Sequence, residues 1–357
     1  MPIRATKAFI AVSTEKLKRP SNAYNIACSL WHDAIPMILP NLLKFMSNAH
    51  GFHNPQNWQG LPLELQPVVK RILTDRFWQA GISTGSRDDF YENVTKTKNT
   101  MEGLASSIRG AVRMVRESCY SILWCMSRLD VHFYGLEELP GPLAMSLFND
   151  AHALSSHQMS ILLNMTRYII DDCPTLFRQH FLTPLLASLF AQVDAKVSGE
   201  WNELIEKGQI SQGGDAQLAE EMKEESILRQ LTYTAVLIVA GLLDPQRPGE
   251  SGLASANTLV PQSLALPEMQ SSGTAEPTMR EFILSSDVVL EPLILFCTHA
   301  LRMRDSRCCG IIIRVFRSIV PEFQADRADI REFICREVLM ASIDVYLSSP
   351  SFGEPAS

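Results

Sequence analysis

A chain whose apolar residues recur every three or four positions, with hardly any period-two alternation, has one route to a buried core: helices packed on helices. In "SILLNMTRYIIDDCP", Ile161, Leu162, Met165, Tyr168 and Ile169 fall at helical spacing, and Cys173-Pro174 ends the run. "PTLFRQHFLTPLLASLFAQVDAKV" opens the next helix, with Pro174 near its first turn, where a missing N–H costs little. "MVRESCYSILWCMSRL" and "EPLILFCTHALRMR" read the same way, and the turns "ELPGP", "DDCP" and "VPEF" separate the helices. Helices joined by a few residues pack antiparallel on their neighbours. The expected fold is therefore all-α, an α-solenoid of HEAT/armadillo-like helical hairpins of about 40 residues each. A compact helical bundle is the alternative that the pattern leaves open.

Two stretches interrupt this rhythm. From Pro245 to Pro277 the chain is rich in Pro, Gly and Ser and poor in aromatics, which predicts a disordered insertion between two helices. "EKGQISQGGDAQLAEEMKEE" (Glu206–Glu225) starts polar and becomes an acidic helix, whose Glu220, Glu221, Glu224 and Glu225 read as a solvated face. The expected organisation is HEAT-like repeats over 1–244, the insertion over 245–277, continuing repeats over 278–347 and a flexible tail over 348–357.

Composition narrows the function classes. The 357 residues are 46% hydrophobic with a formal net charge of -7, so bulk electrostatics do not favour nucleic acid, DNA included, and any phosphate site needs a local basic patch. The eight cysteines form no framework of disulfide spacing and are read as reduced intracellular thiols. The N-terminus lacks a secretory pattern, and the most apolar run, "AVLIVAGLL" (Ala235–Leu243), is shorter than the roughly 20 residues that span a bilayer. It reads as the buried face of a helix in a soluble protein without a membrane partner.

Catalytic and metal chemistry find little support. His50 and His53 in "HGFH" lack a nearby Cys or carboxylate to complete a tetrahedral set and read as a solvated loop. Cys308 and Cys309 are adjacent, the wrong spacing for a zinc knuckle, and read as small residues packed along a helix. "GISTG" (Gly81–Gly85) resembles a phosphate cradle only superficially, because a helix rather than a strand precedes it. No nucleophile elbow occurs. The expectation is no enzyme, no cofactor and no metal.

Arginines carry the more informative pattern. Arg109, Arg113 and Arg116 fall at i, i+4 and i+7 and so share one helix face. Arg304, Arg307, Arg314 and Arg317 occupy a broader face of a later helix, next to Arg302. Two readings stand. These side chains either pair with acidic residues of neighbouring hairpins, such as Glu117 or the Glu220–Glu225 region, or present bidentate donors to an acidic surface, a phosphoprotein or an RNA backbone. No aromatic is interleaved with either stripe, so stacking on single-stranded bases is not indicated.

Longer composite stretches carry a resemblance. "ILTDRFWQAGISTGSRDDFYENV" followed by "EGLASSIRGAVRMVRESCYSILWCMSRL" is similar to the C-terminal half of the exportin-5 family of karyopherin-β transport receptors, in a fungal-type wording. "LLNMTRYIIDDCPTLFRQHFLTPLLASLFAQVDAKVSGEW", "EEMKEESILRQLTYTAVLIV" and "FILSSDVVLEPLILFCTHALRMRDSRCCGIIIRVFRSIVPEF" follow in the family's order, so the likeness runs from about Trp31 to about Phe333 apart from the insertion. It implies a nuclear export receptor that shuttles between nucleus and cytoplasm. Its implied partners are Ran-GTP, Phe-Gly nucleoporins, and cargo that is structured RNA or phosphorylated protein. It also implies that Phe77, Trp78, Phe90 and Tyr91 pack a connector between hairpins rather than an active site. Family members are several times longer, with their principal Ran-binding repeats near the N-terminus, so the chain is expected to correspond to a C-terminal portion. Such a portion would expose an apolar face where the preceding repeat stacks. The rival reading is a HEAT-type scaffold that works without Ran.

Overall fold

The computed structural model describes residues 22–73, 100–210, 215–244, 277–303, 305–323 and 327–347. The "GISTG" connector with its aromatics, and the segment 245–276, lie outside the described residues. Among those described there is no strand, and the all-α expectation holds. The chain forms two compact units, residues 1–165 and 166–357.

In the first unit, α1 (Asn22–Gly51) packs against α3 (Met101–Ser127), α4 (Val131–Tyr134) and α5 (Pro140–Phe148), while the short α2 (Gln66–Leu73) lies on α3. Helix α1 keeps its course through Pro36 and Pro40 because its other face is buried at Trp31, Ile35, Leu39, Leu42, Leu43 and Met46. His32 meets His132 just beyond the end of α3, and His50 meets Tyr120 within it. As one chain number rises the other falls, so α1 and α3 run antiparallel. Thr100 starts α3 by accepting from the Gly103 N–H, and Pro140 opens α5 at a position that needs no donor. Helix α6 (Ser156–Asp171) completes the described part of this region, the unit boundary falling within it.

The second unit shows repeat stacking directly. A 3-10 turn (Thr175–Phe177) and one π turn (Arg178–Leu182) lead from the Cys173-Pro174 break into α7 (Thr183–Ile210), followed by α8 (Asp215–Leu243). The buried Trp201 Nε1–H donates to Thr232 Oγ1 at 3.0 Å and fixes this hairpin. Then come α9 (Met279–Ser285), α10 (Asp287–Ala300), α11 (Ser306–Ile319) and α12 (Ala328–Leu347). Helix α7 packs along α10, with Phe190 stacked on Phe296 at 6.4 Å between centroids and Asp194 bonded to His299. Helix α8 packs along α11 through Tyr233 with Arg307 and Asp244 with Arg314. The numbers rise together in both pairs, so helices of equal rank lie parallel. That arrangement is hairpin stacked on hairpin, the solenoid pattern, in which each repeat buries its apolar face on the next.

The apolar run Ala235–Leu243 is interior, with Ala235, Val236, Val239 and Leu243 almost fully buried. Its longer helical stretch, Met222–Leu243, is long and apolar enough by length and composition to cross a membrane, and 56% of it is buried inside the fold. At the acidic start of α8, Glu224 is exposed and Glu225 pairs with Arg229 at 2.6 Å, as a solvated helix face does.

Arginines tie the elements together at helix C-termini, where the last carbonyls lack intrahelical donors. Arg280 of α9 donates to the Leu243 carbonyl that ends α8, to Ser318 O of α11 at 2.8 Å, and to Glu322. Arg327 reaches the Leu284 carbonyl at the end of α9 and Asp287. Thr278 and Glu281 form a reciprocal capping box that starts α9, and Asp305 caps α11 by accepting from the N–H groups of Arg307 and Cys308.

Candidate anion-contact surfaces

The two arginine stripes meet different fates. On α3 the three side chains at i, i+4 and i+7 do not share one environment. Arg109 donates to the carbonyls of Arg71 and Ile72 at 2.7 and 2.8 Å and closes the C-terminus of α2. Arg113 is exposed, and Arg116 is only 2% exposed, among the largest side chains in the core. The expected single contact strip is therefore divided, because α1 and the segment after it cover the face on which Arg116 lies.

The surroundings of Arg116 correct a second expectation. His50, read from "HGFH" as part of a solvated loop, sits in the last turn of α1 and is 1% exposed. Its Nε2 is 2.5 Å from Tyr120 Oη, and Arg116 Nη1 donates to His53 Nε2 at 3.2 Å. Burial, then the Arg116 and His53 charges, hold the His50 imidazole down at about 3, so it is neutral. Burial likewise pushes the Tyr120 phenol up. Arg116 Nε is buried with no hydrogen-bond partner among the described residues. No group of His, Cys, Asp and Glu suited to a metal ion occurs among the described residues.

On α11 the pattern points outward. Cys308, Ile311, Ile312, Val315, Phe316 and Ile319 are buried, and the opposite face carries Arg307, Arg314 and Arg317. Arg304 lies outside the described residues. The Arg307 guanidinium lies over the Tyr233 ring of α8, 3.8 Å from its centroid, and the residue stays exposed. Arg314 Nε is 3.6 Å from Asp244 Oδ2, a carboxylate whose side chain is nearly buried. Arg317 is exposed and forms no ion pair among the described residues. Nearby Arg302 is committed elsewhere, to Glu337 at 2.8 Å and Asp344 at 3.6 Å on α12.

The result is a row of three guanidinium groups, one orientated by a ring, one loosely tethered and one unengaged. This geometry suits several acidic groups spaced along an extended anion. Neither Tyr233 nor Asp244 was identifiable as its support from the sequence around the arginines, since both belong to the preceding hairpin. The neighbouring thiols are not reactive groups: burial pushes Cys308 up to about 12 and raises Cys309, and both pack as small side chains.

Comparison with known proteins places this architecture. The exportin-5 family model matches residues 2–354. The chain belongs to the exportin-5 family. Among curated relatives of this family member, an uncharacterised protein of Schizosaccharomyces pombe is 29% identical over 324 residues, covering 88% of the chain and 26% of that protein. Protein MSN5 of Saccharomyces cerevisiae is 27% identical over 348 residues, covering 95% of the chain and 27% of the relative. Exportin-5 of Mus musculus is 21% identical over 202 residues, covering 54% of the chain and 17% of the relative. The chain thus spans about a quarter of the length of the fungal relatives that it matches. No solved structure matches it significantly.

Proposed function

We propose that the chain is the part of a nuclear export receptor that presents a basic helix face to anionic cargo. Family membership supports the transport role, and the exposed Arg307, Arg314 and Arg317 row on α11 is the observation that carries the cargo chemistry. The whole receptor binds Ran-GTP and cargo in the nucleus, contacts Phe-Gly nucleoporins in the pore, and releases cargo in the cytoplasm after GTP hydrolysis. Cargo is a phosphorylated protein or a structured RNA. Both offer closely spaced phosphates, which guanidinium groups engage bidentately at salt-dependent affinity. The protein acts by binding and changing curvature rather than by catalysis, since small rotations between stacked repeats add up along an array.

Two measurements test this reading. An antibody against this region captures the endogenous protein, and retention of Ran carrying a non-hydrolysable GTP analogue is compared with Ran-GDP. Selective retention of the GTP form is expected, and equal retention of both would favour a Ran-independent scaffold. The chain itself is then titrated with a phosphopeptide, its unphosphorylated counterpart and a hairpin RNA at rising salt. Affinity for a phosphate-bearing probe should fall with salt and fall again in an Arg314→Ala/Arg317→Ala variant. Affinity that ignores both changes overturns the cargo assignment.

A further inference from the structure

A second surface of the C-terminal unit has the opposite chemistry. Helices α10 and α12 lie side by side, and Arg327 near the start of one and Arg302 just beyond the end of the other bridge them at their two ends. Between them runs an open groove of about 670 Å³. Its floor is apolar, built from Leu290, Ile294 and Leu295 of α10 and from Ile330 and Phe333 of α12. Leu295 is 38% exposed, a large apolar side chain at the edge of the opening.

The rim is acidic. Asp287, Glu291, Asp329 and Glu332 line the groove against two cations, Arg327 and Arg336. Both cations are already engaged. Arg327 pairs with Asp287 and lies over the Phe323 ring, and Arg336 lies over the Phe333 ring with Glu337 at 3.6 Å. Glu291, Asp329 and Glu332 are exposed and form no ion pair among the described residues. An apolar floor flanked by three unpaired carboxylates repels phosphates and attracts a segment that offers apolar anchors and positive charge together.

We propose that the α10–α12 groove binds a basic amphipathic segment of a partner protein. Leucine-like anchors of that segment fill the floor between Ile294 and Phe333, and its lysines or arginines face Glu291, Asp329 and Glu332. The groove belongs to the helix layer of α7, α10 and α12, whereas the arginine row belongs to the layer of α8 and α11. This assignment rests on the groove alone and stands or falls independently of the cargo reading.

The test uses the full chain and a fluorescein-labelled probe of about 14 residues, roughly 21 Å long as a helix, with Leu on one face and Lys on the other. Its controls carry Glu in place of Lys, or Ser in place of Leu at unchanged charge. Anisotropy at physiological salt should show binding of the Leu/Lys probe and much weaker binding of both controls. Glu291→Lys/Glu332→Lys should weaken the probe by about tenfold. Glu203→Lys/Glu206→Lys, the same charge change at exposed positions of α7 that do not line the groove, should alter it by less than about twofold. No binding of the Leu/Lys probe overturns the assignment, as do equal losses in the two double variants or equal binding of the Ser-for-Leu control. The substituted side chains are exposed, and an unchanged thermal transition confirms that each variant folds.

Discussion

The arginines of α3 and those of α11 are written with similar helical spacing, yet the first set is divided between the core and the surface and the second is left outside. Arg116 is buried beside His53 and near the His50–Tyr120 pair, and Arg109 closes a neighbouring helix. Arg307 and Arg314 keep solvent-facing edges, and Arg317 is unengaged among the described residues. Spacing fixes which residues share a helix face. It does not fix whether another element covers that face, because the covering element comes from a distant part of the chain. A buried arginine contributes to the fold and is sensitive to loss, whereas an exposed one is cheap to remove and free to bind.

The largest expected effect breaks this contrast if it is wrong. Arg116→Ala should destabilise the chain by about 3 kcal/mol, since it opens a cavity in the core and removes the bond to His53 Nε2. Arg116→Met, of similar volume, should cost clearly less, because a buried cation with an unpaired Nε is a poor use of the site. Urea unfolding of both variants checks the order, and equal losses would mean that the charge rather than the packing matters there.

The next effect is a pH dependence from the same cluster. His50 has a folded value of about 3 against an ordinary 6.5, so the unfolded chain takes up a proton that the folded chain refuses. Its contribution to stability is complete above pH 6.5 and is lost as pH falls from 6.5 toward 3, amounting to about 2 kcal/mol at pH 5. Asp171 works in the other direction, since burial raises its carboxyl and the folded state accepts the proton more readily. The difference between the wild-type chain and His50→Gln, followed by urea unfolding between pH 7.5 and pH 5, isolates the histidine. A wild-type chain that loses no more stability than the variant would show His50 to be solvated after all.

In the C-terminal unit the comparable buried polar contact is neutral. Removing the hydroxyl by Thr232→Val leaves Trp201 Nε1–H without its acceptor and should cost about 1–2 kcal/mol, with no dependence on pH in this range. Loss of stability that varies between pH 5 and pH 7.5 in this variant would blur the distinction drawn between the two units.

Much of the architecture was legible from residues alone. The 3.6-residue period, the Cys173-Pro174 break and the short turns dictate helices and their antiparallel pairing, and the composite stretches point to the family. The environment of individual side chains was not. His50 next to Gly51 and close to Pro55 reads locally as loop, but the imidazole is held in the core by Tyr120, 70 residues away. Arg280 looks like one more surface arginine, and only the stacking of hairpins brings the ends of α8 and α11 within its reach. Tyr233 becomes part of the α11 surface for the same reason. Parallel stacking of equal-rank helices joins residues separated by a whole repeat, and no local pattern announces the partner.

The smallest expected change in stability is the most telling for function. Arg317 touches no acidic group among the described residues, so Arg317→Ala should shift unfolding by no more than about 0.5 kcal/mol. Affinity for a phosphopeptide should nevertheless fall by about two- to fivefold, and the slope of log affinity against log salt should become shallower by nearly one ion. Arg307→Lys makes the complementary case. An ammonium keeps the charge but loses the guanidinium's contact with the Tyr233 ring and the bidentate fork, so binding should weaken while the salt slope stays nearly constant. If the two variants behaved alike, the α11 row would be acting only as diffuse positive charge. A difference between them would show that the ring beneath Arg307 sets its geometry for recognition, which is the property that separates this outward-facing row from Arg116, buried on α3.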